Sequence, residues 1–104
     1  MVLSDGSWTS PPVTVAASFI DRLLGMRRGS IESVLIRSSS VHALGLRDPL
    51  RLVHLDGNGM VIHLDILPAG RRIAARGVWI LELPIGTPAP DTGVKLVVLP
   101  SSVS

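Results

Sequence analysis

Short apolar runs separated by glycine, proline and serine dominate the 104-residue chain. Runs of this length that are bounded by turn residues are typical of β-strands. The pattern predicts strands at 13–17, 33–37, 41–44, 50–55, 60–67, 72–75, 78–83 and 95–99. Apolar residues recur at helical spacing only in 18–24, directly after the capping residue Ser18, which predicts one short helix. We therefore expect an all-β fold with one short helix, as a small jelly-roll-like β-sandwich or barrel.

The chain is of a length that forms one domain with one core. Residues 1–12 are polar and end in Pro11-Pro12, so they predict an N-terminal tail or lead-in. Trp8 is the exception, because an indole of that size is expected to pack on the domain. We assign 13–100 to a single β-rich domain and 101–104 to a C-terminal tail.

The most sharply patterned stretch is a hairpin formed by 50–55 and 60–67, with the sequence Asp-Gly-Asn-Gly between the two strands. Two loops are compatible with these residues. A two-residue loop, Gly57-Asn58, would set Arg51 opposite Leu64 and mix charged with apolar positions. A three-residue loop places Gly59 in the left-handed conformation that follows many hairpin turns, and this loop is our prediction.

The three-residue loop fixes which side chains meet across the predicted hairpin. It sets Arg51 opposite Asp65, and opposite charges at such positions stabilise a sheet by roughly 0.2 to 1 kcal/mol. We therefore predict a cross-strand pair between Arg51 and Asp65. The same register places His54 and His63 on opposite faces, which argues against a shared metal site.

Composition and charge limit the classes of partner. The chain has a formal net charge of +2 and no cysteine, so disulfides and thiolate chemistry are excluded and a metal would need histidine and carboxylate ligands. Five arginines could form a basic patch: Arg27, Arg28, Arg71, Arg72 and Arg76. Nucleic acid is not the favoured partner, because the chain has no long run of basic residues. No apolar run reaches the length of a membrane span and no signal-peptide pattern opens the chain, so we expect a soluble, cytoplasmic protein.

Three segments together resemble a known family. The string SVHALGLRDPLRLVHLDGNGMVIHL is similar to SVHTFGMRFPIDVVFLDRDGRVL, and RGVWILELPIG is similar to ARAVLELPAG. Upstream, FIDRLLGMRRG resembles an R-x-x-G-L-M element. These belong to the bacterial and archaeal family catalogued as domain of unknown function 192, and the resemblance covers about Val13 to Leu99. It implies a small, β-rich, jelly-roll-type domain and no established activity.

The resemblance also implies a set of polar residues. By matching position, those of the family fall on Arg22, His42, Arg47, Asp56 and Glu82. The chain departs from the family pattern at Leu46, Arg51 and His54, where the family usually has methionine, aspartate and phenylalanine. The change at Arg51 alters the charge of the segment that would carry a shared site.

The leading hypothesis is a small non-catalytic domain that binds a small ligand or a protein through His42, Arg47 and Asp56. The alternative is a hydrolase-type enzyme that uses His42 in a pocket, although no nucleophile elbow or carboxylate pair is present. A second alternative is weak nucleic-acid binding through the basic patch. We expect no metal, no cofactor and a monomer or weak dimer.

Arg22 and Glu82 are better explained as a structural ion pair than as a site. Alternation along 78–83 places Glu82 on an apolar strand face, where a carboxylate needs a partner. An arginine on the predicted helix is suited to that role because its guanidinium binds a carboxylate through two hydrogen bonds.

Overall fold

The computed structural model describes residues 1–16, 33–42 and 48–99, and these contain strands without a helix. The predicted helix at 18–24 falls outside the described residues. The predicted all-β, sandwich-like class is confirmed, and the sheets formed by these residues do not close into a barrel. The strands are β1 (Leu3–Ser4), β2 (Val13–Ala16), β3 (Ser33–Arg37), β4 (Ser40–His42), β5 (Leu50–Leu55), β6 (Val61–Leu67), β7 (Arg72–Ala74), β8 (Trp79–Pro84) and β9 (Val97–Val98).

A central sheet of five strands, in the order β2-β3-β8-β5-β6, carries most of the structure. The β2–β3 pair is parallel, whereas the other pairs of this sheet are antiparallel. Two further sheets have two strands each, β1 with β9 and β4 with β7. Within the described ranges, no helix is long and apolar enough to cross a membrane.

Each face of the central sheet carries an apolar cluster, and each cluster includes residues of one of the small sheets. The first face packs against β1 and the chain before β9 through Leu3, Val13, Leu35, Val53, Leu55, Val61, Leu81, Leu83 and Leu96. The second face packs against β4 and β7 through Ile36, Val41, Leu50, Leu52, Leu67 and Ile80. Alternation along each strand produces this division, because successive side chains point to opposite faces.

Residues 1–12 contribute a strand and a core residue to the fold, whereas the sequence predicted a tail or lead-in there. Leu3 pairs with Val98 across the small sheet, and the Leu3 side chain is buried in the first-face core. The backbone N–H of Leu3 donates to Ser10 Oγ at 2.9 Å, and the N–H of Ser10 donates to the Leu3 carbonyl at 2.8 Å. Trp8 packs against the same core and donates from Nε1 to the Pro88 carbonyl at 2.8 Å, as expected for its indole. The predicted tail at 101–104 lies outside the described residues.

The hairpin loop has the predicted form. The Asp56 N–H donates to the Met60 carbonyl at 3.0 Å, so the loop contains three residues, and Gly59 has a φ of 86°. A left-handed φ favours glycine because a side chain there crowds the backbone. The Leu96 N–H donates to the Gly59 carbonyl at 2.9 Å, which joins the loop to the chain before β9.

One extra residue in β6 then changes the register. Leu55 lies opposite Val61 as the loop requires, but the next pair is His54 with His63, so Ile62 is the extra residue of a β-bulge. A bulge of this kind moves every later residue of the strand by one position relative to its partner strand. The sequence contains no local mark of it.

The predicted Arg51–Asp65 pair is wrong because of this bulge. Arg51 lies opposite Ile66, and Asp65 lies opposite Leu52, so the two charged residues occupy different faces of the sheet. The Arg51 guanidinium is hydrogen bonded to the Ile85 carbonyl instead, through Nε at 3.4 Å and Nη2 at 3.3 Å.

Gly77 allows the chain before β8 to lie directly on the bulge. The Val78 N–H donates to the Leu55 carbonyl at 2.8 Å. A Cβ at Gly77 would overlap the Leu55 carbonyl oxygen and would approach Ile62 Cδ1 to 2.9 Å. Only a residue without a side chain fits this approach.

Substitution of Gly59 tests the contact between the hairpin loop and the chain before β9. Both Gly59→Ala and the control Gly70→Ala place alanine at a positive φ, which costs roughly 1–2 kcal/mol. At Gly59 the new Cβ would also lie 2.7 Å from the Leu96 carbonyl oxygen, whereas Gly70 has no atom within 4 Å of that position. We expect Gly59→Ala to lower the unfolding free energy, measured in urea, by at least about 1 kcal/mol more than Gly70→Ala. Equal losses would show that the Leu96 contact does not constrain the loop.

Candidate functional site

Three polar side chains, His54, His63 and Asp65, lie together on the second face of the central sheet, where β5 pairs with the edge strand β6. His54 on β5 lies directly opposite His63 on β6, and Asp65 is two residues further along β6. Residues paired across strands, and residues two apart along a strand, share one face. The bulge therefore brings together two histidines that the sequence had placed on opposite faces.

The Asp65 carboxylate and a backbone amide hold the His54 ring in one tautomer. His54 Nε2 lies 2.9 Å from Asp65 Oδ2, and His54 Nδ1 lies 3.1 Å from the Arg76 backbone nitrogen. The Arg76 N–H can only donate, so Nδ1 is the acceptor and Nε2 carries the proton that goes to the carboxylate. His54 is thus a neutral, oriented donor to Asp65.

Burial reinforces the neutral state of His54. Its side chain has no exposed surface. Desolvation by burial is the largest cause that lowers the pKa of His54 below its usual value. Together with smaller electrostatic effects of His63 and Arg76, it outweighs the hydrogen bond and the charge of Asp65, which raise the pKa. Protonation at Nδ1 would in addition place two N–H groups against each other at Arg76.

His63 and Asp65 form the accessible part of the cluster. Their side chains are 35% and 28% exposed, and His63 Nε2 lies 3.2 Å from Asp65 Oδ2. The two imidazole rings are 5.4 Å apart between centroids and are tilted by 55°. One carboxylate oxygen therefore contacts a buried imidazole on one side and a partly exposed one on the other.

The predicted ligand site, His42, Arg47 and Asp56, cannot be assembled from the described residues. Arg47 falls outside the described residues, and for His42 only the backbone position in β4 is described. Asp56 lies in the hairpin loop, where Oδ1 accepts from the N–H groups of Asn58 at 2.8 Å and Met60 at 2.9 Å. This carboxylate stabilises the turn, as aspartate commonly does at such positions.

Glu82 is fully buried, and the sheet places it in line with Asp65. It lies opposite Leu52, and Leu52 lies opposite Asp65, so the three side chains share the second face. The predicted apolar surroundings of Glu82 are confirmed by Ile80, which belongs to the core of that face. Its predicted partner Arg22 falls outside the described residues, so the ion pair stays a prediction.

Sequence reasoning missed the pairing of His63 with Asp65, although a signal was present. A His-x-Asp spacing on a strand places both side chains on one face whatever the register. No such signal existed for His54, because its place in the cluster depends on the bulge.

Other chemistry finds less support in the described residues. No group of three histidine or carboxylate side chains among them is arranged to hold a metal ion. Within the cluster, both nitrogens of His54 already have hydrogen-bond partners. Arg71, Arg72 and Arg76 are exposed around β7, whereas Arg27 and Arg28 fall outside the described residues. Trp8 and Trp79 are partly buried against the first-face core, which limits the ring surface available for stacking on bases.

Comparison of the chain with family models, curated proteins and solved structures finds no significant match.

The neutral state of His54 predicts a pH dependence of stability. Because the pKa of His54 is lowered on folding, the unfolded chain binds more protons, and stability is lost as the pH falls below the ordinary histidine value of 6.5. We expect the unfolding free energy to fall as the pH is lowered from 7.5 to 5.5, and one such group can contribute a slope of at most about 1.4 kcal/mol per pH unit. Urea denaturation of wild type, His54→Gln and His63→Gln measures it. The slope should flatten in His54→Gln and persist in His63→Gln, and the reverse result would contradict the assignment.

Proposed function

We propose that the chain is a small ligand-binding domain whose site is the accessible side of His63 and Asp65, and that its ligands carry an ammonium or guanidinium group. The observation that carries this proposal is the Asp65 carboxylate, which is oriented by a neutral imidazole. An oriented but uncompensated negative charge on a partly exposed surface is suited to a cation.

The charges around Asp65 support a cationic ligand. Among the described residues, its contacts at ion-pair distance are histidines, and His54 is held neutral. No lysine or arginine in those ranges lies within ion-pair distance of the carboxylate. A bound cation would supply the missing charge without displacing His54.

The hydrogen-bonding atoms support the same ligand class. Asp65 Oδ2 is used by His54, which leaves Oδ1 as an acceptor, and the second ring nitrogen of His63, Nδ1, is a further hydrogen-bonding position. Ammonium and guanidinium groups carry several donors and no acceptor, so they can satisfy both positions at once. A carboxylate or phosphate ligand would meet the charge of Asp65 instead.

Calorimetric titration with agmatine and putrescine, and with acetate and inorganic phosphate as anionic probes, tests the ligand class. We expect the two amines to bind wild type and the anions not to bind. Asp65→Asn keeps an oxygen for His54 but removes the charge, so it should weaken amine binding about tenfold or more.

Asp91→Asn is the matched control for the loss of a surface carboxylate, since Asp91 is exposed and lies in the loop before β9. It should leave amine affinity unchanged. Equal amine binding by Asp65→Asn and wild type, or binding of phosphate in place of the amines, would overturn the proposal.

Acid-base catalysis by His63 is the second candidate. The 3.2 Å approach of His63 Nε2 to Asp65 Oδ2 is the pairing that orients a general base in many enzymes. The buried Ser33 lies on β3 opposite Val13, whose side chain belongs to the first face, so this hydroxyl is not near the cluster. The chemistry would therefore be proton abstraction or activation of water.

Turnover of a panel of esters and amides separates catalysis from binding. If His63 is a general base, His63→Ala should reduce the turnover of at least one substrate at least a hundredfold. Turnover that His63→Ala leaves unchanged would exclude this candidate.

We also propose that the chain belongs with the family catalogued as domain of unknown function 192. The described parts of the resembling segments, residues 40–42, 48–64 and 76–86, lie in an all-β sandwich, and this supports the proposal.

A further inference from the structure

The edge of β6 that faces away from β5 is hydrogen bonded to another segment at its start and lacks a paired strand in the described ranges beyond it. At its start, the Val61 N–H donates to the Val94 carbonyl at 2.8 Å, and the Gly93 N–H donates to the Val61 carbonyl at 2.7 Å. Beyond Val61, no strand in the described ranges pairs with this side, and β6 is the last strand of the central sheet. Half of the backbone polar groups of an edge strand point away from the sheet and are available to a further strand.

The side chains of β6 leave apolar surface exposed along this edge. Ile62 and Ile66 are 41% and 52% exposed. Proteins commonly shield an edge with lysine, proline, a bulge or a very short strand. β6 has seven residues, more than any other described strand, it contains no lysine or proline, and its bulge lies near its first end, at Ile62. An open, apolar edge of this length favours the addition of a strand.

We propose that this edge pairs with β6 of a second copy of the chain, antiparallel and around a two-fold axis at Leu64. An axis perpendicular to the sheet must place one residue opposite its own equivalent. An axis at Asp65 would oppose two carboxylates, and an axis at His63 would oppose two imidazoles.

The axis at Leu64 is the one that gives complementary neighbours. It sets His63 opposite Asp65 of the second copy, and Ile62 opposite Ile66 of the second copy. The first pair joins a hydrogen-bond donor to a carboxylate, and the second covers the exposed apolar side chains. Charge and apolar pattern thus select the same register.

This arrangement adds a residue of the second copy to each candidate site. His63 of the second copy would lie beside Asp65, which already accepts from His54 of its own chain. The inference rests on the edge of the sheet and not on the proposed ligand, so either can hold without the other.

Sedimentation velocity of the full chain over a range of concentrations measures the association. We expect a reversible dimer in wild type. Ile66→Lys should shift the chain to monomer, because it places a lysine in the middle of the pairing edge. Val15→Lys is the matched control, since Val15 is 49% exposed on β2, the strand at the other end of the same sheet, and this variant should still dimerise.

A pair of charge variants tests the register itself. His63→Asp alone would oppose two acidic residues, and Asp65→His alone would oppose two histidines, so each should be monomeric. Their equimolar mixture restores both pairs and should dimerise. If Asp65→His fails to fold, which circular dichroism detects, the comparison of Ile66→Lys with Val15→Lys decides the proposal.

Several outcomes would overturn the inference. Wild type that stays monomeric at all concentrations, a dimer that persists in Ile66→Lys, or a dimer that Val15→Lys also abolishes would each exclude pairing through β6. Agmatine binding reports separately on the proposed function, because Ile66→Lys leaves His63 and Asp65 in place.

Discussion

The extra residue at Ile62 is the constraint on which the candidate site depends. Without it, the three-residue loop would set His54 opposite Ile62 and would leave His63 on the other face. With it, both imidazoles and the Asp65 carboxylate share the second face. A change of one residue in register inverts every later side chain of the strand, so a local irregularity decides where the polar groups of the hairpin lie.

Much of the fold was predictable from local pattern. The bounds of β3 and β5 match the prediction, and so does the loop with Gly59 in the left-handed conformation, because apolar runs and glycine positions determine these features within a few residues. The bulge was not predictable in this way. It packs against the chain at Gly77, and the hydrogen bond that fixes His54 comes from a backbone amide 22 residues away. Interactions at such separation leave no mark in the sequence near β6.

The candidate site was less predictable than the fold, because the role of each polar residue depends on strand register and on contacts with its neighbours. The residues implied by resemblance were chosen one at a time, and a polar residue such as Asp56 can serve the backbone of its own turn. The His63–Asp65 spacing lies within one strand and was accessible to sequence reasoning, whereas His54 required the register. The first strand was missed because Leu3 and Ser4 are too few to form a pattern, and their burial depends on β9 at the far end of the chain.

The Asp65 carboxylate links the two proposals energetically. His54 orients the carboxylate but does not neutralise it, so a cationic ligand and the imidazole of a second copy would both be drawn to the same oxygen atoms. If they compete for Asp65, the ligand weakens pairing by the same factor by which pairing weakens ligand binding, because coupling between two equilibria is reciprocal. If the second copy instead leaves Oδ1 accessible, the two events are independent. Access to Asp65 Oδ1 in the paired state therefore determines whether β6 can serve as a binding site and a dimer contact at the same time.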